Sequence, residues 1–268
     1  MSFIEAIILG IIEGLTEFLP VSSTGHLILT RDALGLSGAF VDRQLIIIQG
    51  AAILAVCWEF RQKLLGTAFS LHRDPVARCF VLNLFIASVP LAVLGLIFKD
   101  QIEAVLFKPV PVAIALVIGG VIILWAERRK HEERVQNVDE LRPIDALKLG
   151  LFQALALIPG TSRSGATIIG GLLMGLSRRT AAEFSFFVAI PVLLAATMYE
   201  LYKARAEFAT MEVAPLALSC VVSFISALLA TKLLLRIVTR YSFAVFAWYR
   251  IVFGTVILVG AGMGVVRW

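Results

Sequence analysis

The chain has 268 residues, of which 59% are hydrophobic and 16% are charged, and its mean hydropathy is +0.92. A soluble domain of this length cannot hide that much apolar surface, so the excess side chains must face lipid. Although the net charge is +5, no stretch has the basic face with interleaved aromatic residues that nucleic-acid binding requires. The composition therefore predicts an integral membrane protein and argues against a nucleic-acid partner.

Six stretches are apolar enough to cross a bilayer, which takes roughly 20 residues of helix. They cover residues 45–58, 79–98, 109–126, 184–202, 213–235 and 243–266. The first is short, so we expect it to continue into its polar flanks. Four shorter apolar pieces end at Pro, Gly and Ser clusters and lie at 3–19, 22–33, 146–158 and 164–176. Such lengths are typical of helices that enter the membrane and turn back, which predicts two re-entrant helical hairpins in an all-α fold.

The two hairpins belong to a repeated pattern. Residues 9–15 (LGIIEGL) resemble 149–155 (LGLFQAL), and 19–25 (LPVSSTG) resemble 158–165 (IPGTSRSG). Further matches follow in the same order: Leu54-Ala55 with Leu194-Ala195, Glu59 with Glu200, and Gly120 with Gly254. Ordered matches favour duplication. Because each half holds three spans, the second half would be upside down relative to the first, which is an inverted-topology repeat.

We therefore expect a single membrane domain over residues 1–268. The first repeat covers 1–126, a linker of mixed charge covers 127–142, and the second, inverted repeat covers 143–268. Most of the 24 Lys and Arg residues fall on the side of the predicted spans that holds the linker. The positive-inside rule makes that side cytoplasmic and leaves both termini on the opposite side.

Two carboxylates, Glu13 and Glu17, lie four residues apart in an apolar stretch and share one face of a helix. Carboxylates within a membrane are costly and usually mark a site. With phosphate oxygens they suit Mg²⁺ or Ca²⁺ better than zinc, because the apolar segments offer one His and no Cys cluster. They predict a divalent-cation site, and the alternative is a structural ion pair with Arg163 or Arg250.

A hydroxyl and an imidazole follow these carboxylates. Pro20 ends the first helix, and Ser22 or Ser23 can cap a second helix whose first N–H groups point back at the break. His26 lies three residues after Ser23, on the same face of that helix. The segment therefore offers a nucleophile, Ser23, a base, His26, and a helix start that can bind an anion.

The second hairpin supplies a positive charge, because Arg163 stands among hydroxyls at a helix start and its planar guanidinium suits a phosphate. If the two tips meet, the carboxylates and the guanidinium can hold a diphosphate and a cation together. The predicted substrate-binding residues are polar or small residues near the breaks or within apolar spans: Ser22, Thr24, Gly25, Ser162, Ser164, Gly165, Thr167, Gln49 and Arg250. For Thr24 and Thr167 backbone bonding or packing is an equal alternative, and Arg250 could instead snorkel.

Both segments resemble the undecaprenyl pyrophosphate phosphatase family, membrane enzymes linked to bacitracin resistance. The motifs are Glu13-xxx-Glu17-Phe-Leu-Pro-Val-Ser-Ser-Thr-Gly-His26 and Pro159-Gly-Thr-Ser-Arg163-Ser-Gly-Ala-Thr167, and the resemblance covers essentially the whole chain. It implies hydrolysis of undecaprenyl diphosphate to undecaprenyl phosphate, which recycles the carrier lipid of peptidoglycan synthesis. It also implies a divalent-metal requirement and a site in the bacterial cytoplasmic membrane that is open to the extracytoplasmic side. The sequence leaves a homodimer open.

The residues predict phosphoryl transfer in which Arg163 and the helix starts grip the phosphates while Glu13 and Glu17 hold the metal. Ser23 would attack the terminal phosphorus with His26 as general base, and water would resolve the phospho-enzyme. Attack by His26, or directly by water, stays open. The alternative function is a polyprenyl-phosphate transporter or flippase, because broken helices in inverted repeats are typical of transporters. A carrier, however, needs no nucleophile.

Overall fold

The computed structural model describes residues 1–129, 132–205 and 213–266. Lys130 and His131 of the predicted linker lie outside the described residues. The described residues form these α-helices: α1 (Phe3–Thr16), α2 (Ser23–Ala33), α3 (Ala39–Glu59), α4 (Arg61–Ser70), α5 (Pro75–Leu106), α6 (Pro109–Arg128), α7 (Pro143–Ala154), α8 (Arg163–Leu173), α9 (Arg178–Ala204), α10 (Val213–Val238) and α11 (Ala244–Gly262). Short 3₁₀ turns lie at Val138–Glu140 and Leu155–Leu157. Within the described ranges the strand content is one isolated bridge.

Six helices (α3, α5, α6, α9, α10 and α11) are long and apolar enough to cross a membrane. They confirm the all-α membrane class and the number of spans predicted from the sequence. The first span does extend into its polar flanks, because α3 has 21 residues and ends at Glu59. The second span also belongs to a longer helix, because α5 begins at Pro75 and has 32 residues.

The four shorter apolar pieces form α1, α2, α7 and α8, which have 14, 11, 12 and 11 residues. A break separates α1 from α2 and another separates α7 from α8. Pro20 and Pro159 lie within these breaks. Proline biases the residue before it against the helical conformation, so the chain leaves the helix at both places.

α3 and α9 form the centre of the molecule. In the apolar stretch of α3 and in that of α9, 56% of the residues are buried inside the protein, whereas the value for α5 is 17%. α3 and α9 contact each other, α1 contacts α3, and α8 contacts α9. The short helices therefore lie against the central spans, while α5 presents most of its apolar surface outwards.

Glycines allow the short helices to approach their neighbours closely. α1 packs along α10, and a Cβ on Gly10 would lie 2.6 Å from the carbonyl oxygen of Ser219. α7 packs along α5, where a Cβ on Gly150 would lie 2.6 Å from the carbonyl oxygen of Ala87. Small residues are typical of such contacts, because van der Waals packing is a main attraction between helices in lipid.

Charged side chains tie the 127–142 segment to neighbouring helix ends. Arg178 donates to Glu127 at 2.7 Å, and the same carboxylate accepts the backbone N–H of Phe243 at 3.0 Å. Lys63 donates to Asp139 at 2.6 Å. The described part of this segment therefore lies on one face of the molecule with α4 and the starts of α9 and α11.

Candidate active site

Two turns with the same unusual backbone conformation precede α2 and α8. Ser22 has a φ of 71° and Ser162 a φ of 72°, and within the described ranges these are the non-glycine residues with positive φ. The left-handed region costs such residues about 1–3 kcal/mol, and this strain is concentrated at functional sites. Both turns lead directly into a helix start, where free N–H groups can bind an anion.

The two turns meet inside the protein. The Ser164 hydroxyl donates to the carbonyl oxygen of Leu19 at 2.8 Å, and Nη2 of Arg163 donates to Oε1 of Glu17 at 3.1 Å. The other oxygen of Glu17 accepts a short hydrogen bond from the Ser23 hydroxyl. The side chains of Glu17 and Arg163 are only 6% and 9% exposed. A carboxylate and a serine of the first motif thus contact the guanidinium of the second.

Arg250 ties the same two turns together from α11. Its side chain is buried, and its N–H groups donate to five backbone carbonyl oxygens at 2.9 to 3.3 Å. The carbonyls belong to Pro20, Ala115, Leu116, Gly160 and Thr161. A guanidinium has five N–H donors, so its capacity is used within the protein. The geometry therefore favours a role in holding the turns, and the substrate contact of Arg250 stays a prediction.

Both ring nitrogens of His26 point to partners other than Ser23. Nδ1 lies 2.7 Å from the Ser22 carbonyl oxygen, and Nε2 lies 2.6 Å from the Tyr249 hydroxyl. The ring stacks on Phe253 with 4.2 Å between centroids. The predicted general base therefore makes no hydrogen bond to the predicted nucleophile in this structure. The hydroxyl of Ser23 donates its hydrogen bond to Glu17 instead.

A cavity of about 170 Å³ opens beside these groups. Its lining includes these predicted residues: Glu17, Ser22, Ser23, Thr24, Gln49, Ser162 and Arg163. The other predicted residues are not part of the lining: Glu13, Gly25, His26, Ser164, Gly165, Thr167 and Arg250. Some of these shape the second turn, because the Gly165 N–H donates to the Ser162 hydroxyl at 3.1 Å. The cavity thus offers a carboxylate, hydroxyls and a guanidinium to one ligand.

A larger cavity of about 490 Å³ adjoins the first, and Thr24 and Gln49 line both. The apolar part of its lining is formed by Leu27, Ile28, Leu45, Ile46 and Phe107. Arg31 and Asp42 also line it and form an ion pair that links α2 to α3. The smaller cavity thus contains the charged and hydroxyl groups of the two turns, and the larger one combines five apolar side chains with an ion pair.

Comparison with known proteins identifies the family. The sequence matches the sequence model of the family described as Bacitracin resistance protein BacA over residues 6–256. The chain belongs to this BacA family. An undecaprenyl-diphosphatase of Dechloromonas aromatica is 55% identical over 265 residues, which cover 99% of this chain and 97% of that protein. Undecaprenyl-diphosphatase 2 of Rhodospirillum rubrum is 56% identical over 270 residues, with the same two coverages. These matches confirm the family resemblance of the two motifs.

Glu13 is the residue of this BacA-family chain that best fits a cation. It is fully buried, and neither of its carboxylate oxygens has a hydrogen-bond partner among the described residues. It lies one helical turn before Glu17 on α1. The described residues contain no group of three or more acidic, His or Cys side chains that could enclose a metal ion. Two carboxylates completed by phosphate oxygens and water are a donor set that suits Mg²⁺, and oxygen donors also suit Ca²⁺.

Sequence reasoning missed two residues beside the predicted ones. The carbonyl oxygen of Ser185 accepts from Nη1 of Arg163 at 3.0 Å, and its hydroxyl accepts from Thr167 at 2.7 Å. The hydroxyl of Tyr249 contacts His26. Ser185 gave a weak signal as a polar residue within an apolar span. Neither partner could be found from the sequence, because each contact joins segments that are far apart along the chain.

Proposed function

We propose that this protein removes the terminal phosphate from undecaprenyl diphosphate and releases undecaprenyl phosphate and inorganic phosphate. Family membership and the names of the relatives support this hydrolase activity. The observation that carries the proposal is the buried contact of Ser23, Glu17 and Arg163 beside a cavity. Polar and charged groups are costly inside a membrane, so their grouping indicates a reactive site. The product would re-enter peptidoglycan synthesis as its carrier lipid, in line with bacitracin resistance.

The first step follows from the contact between Ser23 and Glu17. The hydroxyl oxygen of Ser23 attacks the terminal phosphorus while its proton passes to the carboxylate. The bond between that phosphorus and the bridging oxygen breaks, and undecaprenyl phosphate leaves with the proton that Glu17 took up. Water then attacks the phosphorus of the phosphoserine and gives a proton to the same carboxylate. The bond between the phosphorus and the Ser23 oxygen breaks, Ser23 takes that proton back from Glu17, and phosphate is released. Glu17 takes the base role in this scheme because it, rather than His26, receives the hydrogen bond of the nucleophile.

Arg163 is placed to bind the phosphate that is transferred. It lines the cavity, and its Nε has no hydrogen-bond partner among the described residues. A guanidinium next to the reacting phosphorus stabilises the charge that develops on the phosphate oxygens. Glu13 and Glu17 would hold a divalent cation, Mg²⁺ or Ca²⁺, which neutralises phosphate charge when it is bound.

The adjoining 490 Å³ cavity supports a lipid substrate. The apolar side chains in its lining suit the isoprenoid chain, while the hydroxyls and the guanidinium of the smaller cavity suit the diphosphate, so one amphiphile can fill both. A transporter is the less favoured function, because carrying an anion requires no buried serine hydrogen-bonded to a carboxylate. The relatives are also named for hydrolysis.

We further propose that α1–α2 and α7–α8 are re-entrant hairpins and that residues 1–126 and 143–268 form inverted repeats. The helix contacts come in matching pairs, because α1 packs on α10 as α7 packs on α5, and α3 contacts α10 as α9 contacts α5. The strained Ser22 and Ser162 occupy matching places in the two motifs. Such pairing is expected when duplicated halves pack about a pseudo-two-fold axis.

The face that carries the 127–142 segment would be cytoplasmic, with both termini and the mouth of the site on the extracytoplasmic side of the inner membrane. Basic residues stack on exposed aromatic residues at span ends near this face, where Arg61 covers Trp58 and Arg129 covers Trp125. Lys203 likewise covers Tyr199 near the other end of α9. Aromatic and basic residues favour the membrane–water interface. The pairs therefore support one interface near the ends of α3 and α6 and the other near the end of α9. A homodimer stays a prediction.

The experiment measures phosphate release from undecaprenyl diphosphate by purified protein in detergent with added Mg²⁺. Ser23→Ala and Arg163→Ala should each lower turnover by roughly 10³-fold or more, because each removes a group that acts in the transition state. Ser37→Ala and Arg240→Ala are the matched controls, because both residues are exposed and lie outside the cavity. Near-normal turnover of Ser23→Ala would remove this residue as nucleophile.

A second measurement separates the three nucleophiles. Rapid quenching with substrate labelled in the terminal phosphate should trap label on a peptide that contains Ser23. Label on His26 would favour the histidine as nucleophile. The absence of any labelled protein during turnover would favour direct attack by water.

A further inference from the structure

The starts of α2 and α8 have the same strained turn but are held in different ways. At α8 the Ser162 hydroxyl accepts the N–H of Gly165 at 3.1 Å, and the Ser162 carbonyl accepts the N–H of Ala166 at 2.9 Å. These are the usual side-chain cap and first backbone bond of a helix. The second turn therefore holds itself through its own serine.

The turn at α2 lacks this support. The Ser22 side chain makes no capping hydrogen bond, and the backbone bond from the His26 N–H to the Ser22 carbonyl is long at 3.4 Å. The short bond to that carbonyl comes from Nδ1 of the His26 ring at 2.7 Å. An imidazole thus replaces the missing cap at Ser22, which itself lines the cavity.

Hydrogen-bond chemistry fixes the role of each ring nitrogen. A carbonyl oxygen can only accept, so Nδ1 of His26 must carry a hydrogen. In the neutral imidazole Nε2 then holds the lone pair, and it accepts the hydroxyl of Tyr249 at 2.6 Å. The ring is also stacked against Phe253. The Ser22 carbonyl thus sets the tautomer, and Tyr249 fixes the orientation of the side chain that clamps Ser22.

We propose that Tyr249 is a positioning residue of this centre: its hydroxyl holds His26, and His26 holds the strained Ser22 turn that presents Ser23 to Glu17. Tyr249 is half-buried on α11 and does not line either cavity, so it acts through the imidazole rather than on the substrate. The proposal deepens the proposed function and rests on it for its kinetic test. It also gives His26 a role other than that of general base.

Tyr249→Phe tests the proposal, because it keeps the aromatic stack and removes only the hydroxyl. Turnover should fall by roughly fivefold to tenfold, the factor expected for the loss of one hydrogen bond, while KM changes little because Arg163 still binds the phosphate. Tyr241→Phe is the matched control, because Tyr241 is 65% exposed and lies outside both cavities, and its turnover should not change. Unchanged turnover in Tyr249→Phe would overturn the proposal.

Two variants of His26 separate positioning from base catalysis. The amide nitrogen of His26→Asn can occupy the place of Nδ1 and donate to the Ser22 carbonyl, whereas His26→Ala cannot. His26→Asn should therefore retain several times more turnover than His26→Ala, and adding Tyr249→Phe to either should change nothing further. Equal loss in both His26 variants, or a multiplied loss in the double variants, would contradict a role of Tyr249 through His26.

Amide hydrogen exchange tests the clamp without substrate. In Tyr249→Phe the amides of residues 22–26 should exchange faster than in the unmodified protein, while those of 162–166 should be unchanged because their turn has its own cap. Equal exchange at 22–26 would overturn the proposal even if turnover fell. If the unmodified protein released no phosphate, the proposed function would fail, and this measurement would still decide the role of Tyr249.

Discussion

Replacing Arg250 distinguishes a structural arginine from a substrate-binding one. In the structure its guanidinium donates to five carbonyl oxygens, three of which belong to the turns at Pro20, Gly160 and Thr161. Arg250→Ala would leave buried carbonyls without donors and open a space beside both turns. Each unsatisfied buried group costs about 1–3 kcal/mol, but the helical carbonyls of Ala115 and Leu116 can keep their backbone bonds.

We therefore expect Arg250→Ala to lower the free energy of unfolding by about 3–5 kcal/mol, the usual range for breaking a buried charged network. For a chain of this size the midpoint of thermal unfolding should fall by roughly 10 °C. Arg250→Lys should lie in between, because an ammonium keeps the charge but offers three donors from one point. Thermal unfolding in detergent, followed together with phosphate release, measures both effects.

The matched control is Arg240→Ala, which removes an exposed arginine and should leave the midpoint within about 2 °C. The reasoning would be refuted if Arg250→Ala unfolded at the same temperature as the unmodified protein but released no phosphate. Arg250 would then act on the substrate, as the sequence alone predicted.

Three further predictions concern packing, pH and topology. Gly14→Ala should lower the free energy of unfolding by about 1–3 kcal/mol and lower turnover, because the new Cβ would press on the α10 backbone and displace the nearby carboxylates. The matched control is Gly66→Ala, which has open space around it and should leave the thermal unfolding midpoint unchanged. Burial alone would raise the pKa of Asp145, but hydrogen bonds from Arg134 and Arg142 lower it below the ordinary value. Its ionised form therefore stabilises the fold above about pH 4, and this contribution is lost as the pH falls through the lowered pKa. Asp145→Asn should be less stable than the unmodified protein by about 1 kcal/mol at pH 7. Unfolding curves measured at decreasing pH should show this difference shrink. Single cysteines in a background without the native ones should react with membrane-impermeant reagent from outside at Ser37→Cys but not at Glu133→Cys, and the reverse pattern would overturn the proposed orientation.

Much of the architecture could be read from the sequence because it depends on local patterns. Long apolar stretches predicted the six spans, and proline with its neighbours predicted breaks at Pro20 and Pro159, both of which the structure contains. The charge of Glu17 and Arg163 within apolar segments also predicted that the two breaks could meet. A membrane favours such a pairing, because an isolated charge in a low-dielectric interior is costly.

The sequence by itself determined the membrane class, the breaks and the list of polar groups that needed partners, because residue type and spacing fix these locally. Only the tertiary structure decided which partner each polar group has. Arg250 took carbonyls on α6 and both turns, and His26 took Tyr249 instead of Ser23, because α11 packs on α6 and carries these side chains to the back of the turns. A buried donor bonds to the acceptor that packing brings within reach, and spacing along the chain does not determine that neighbour.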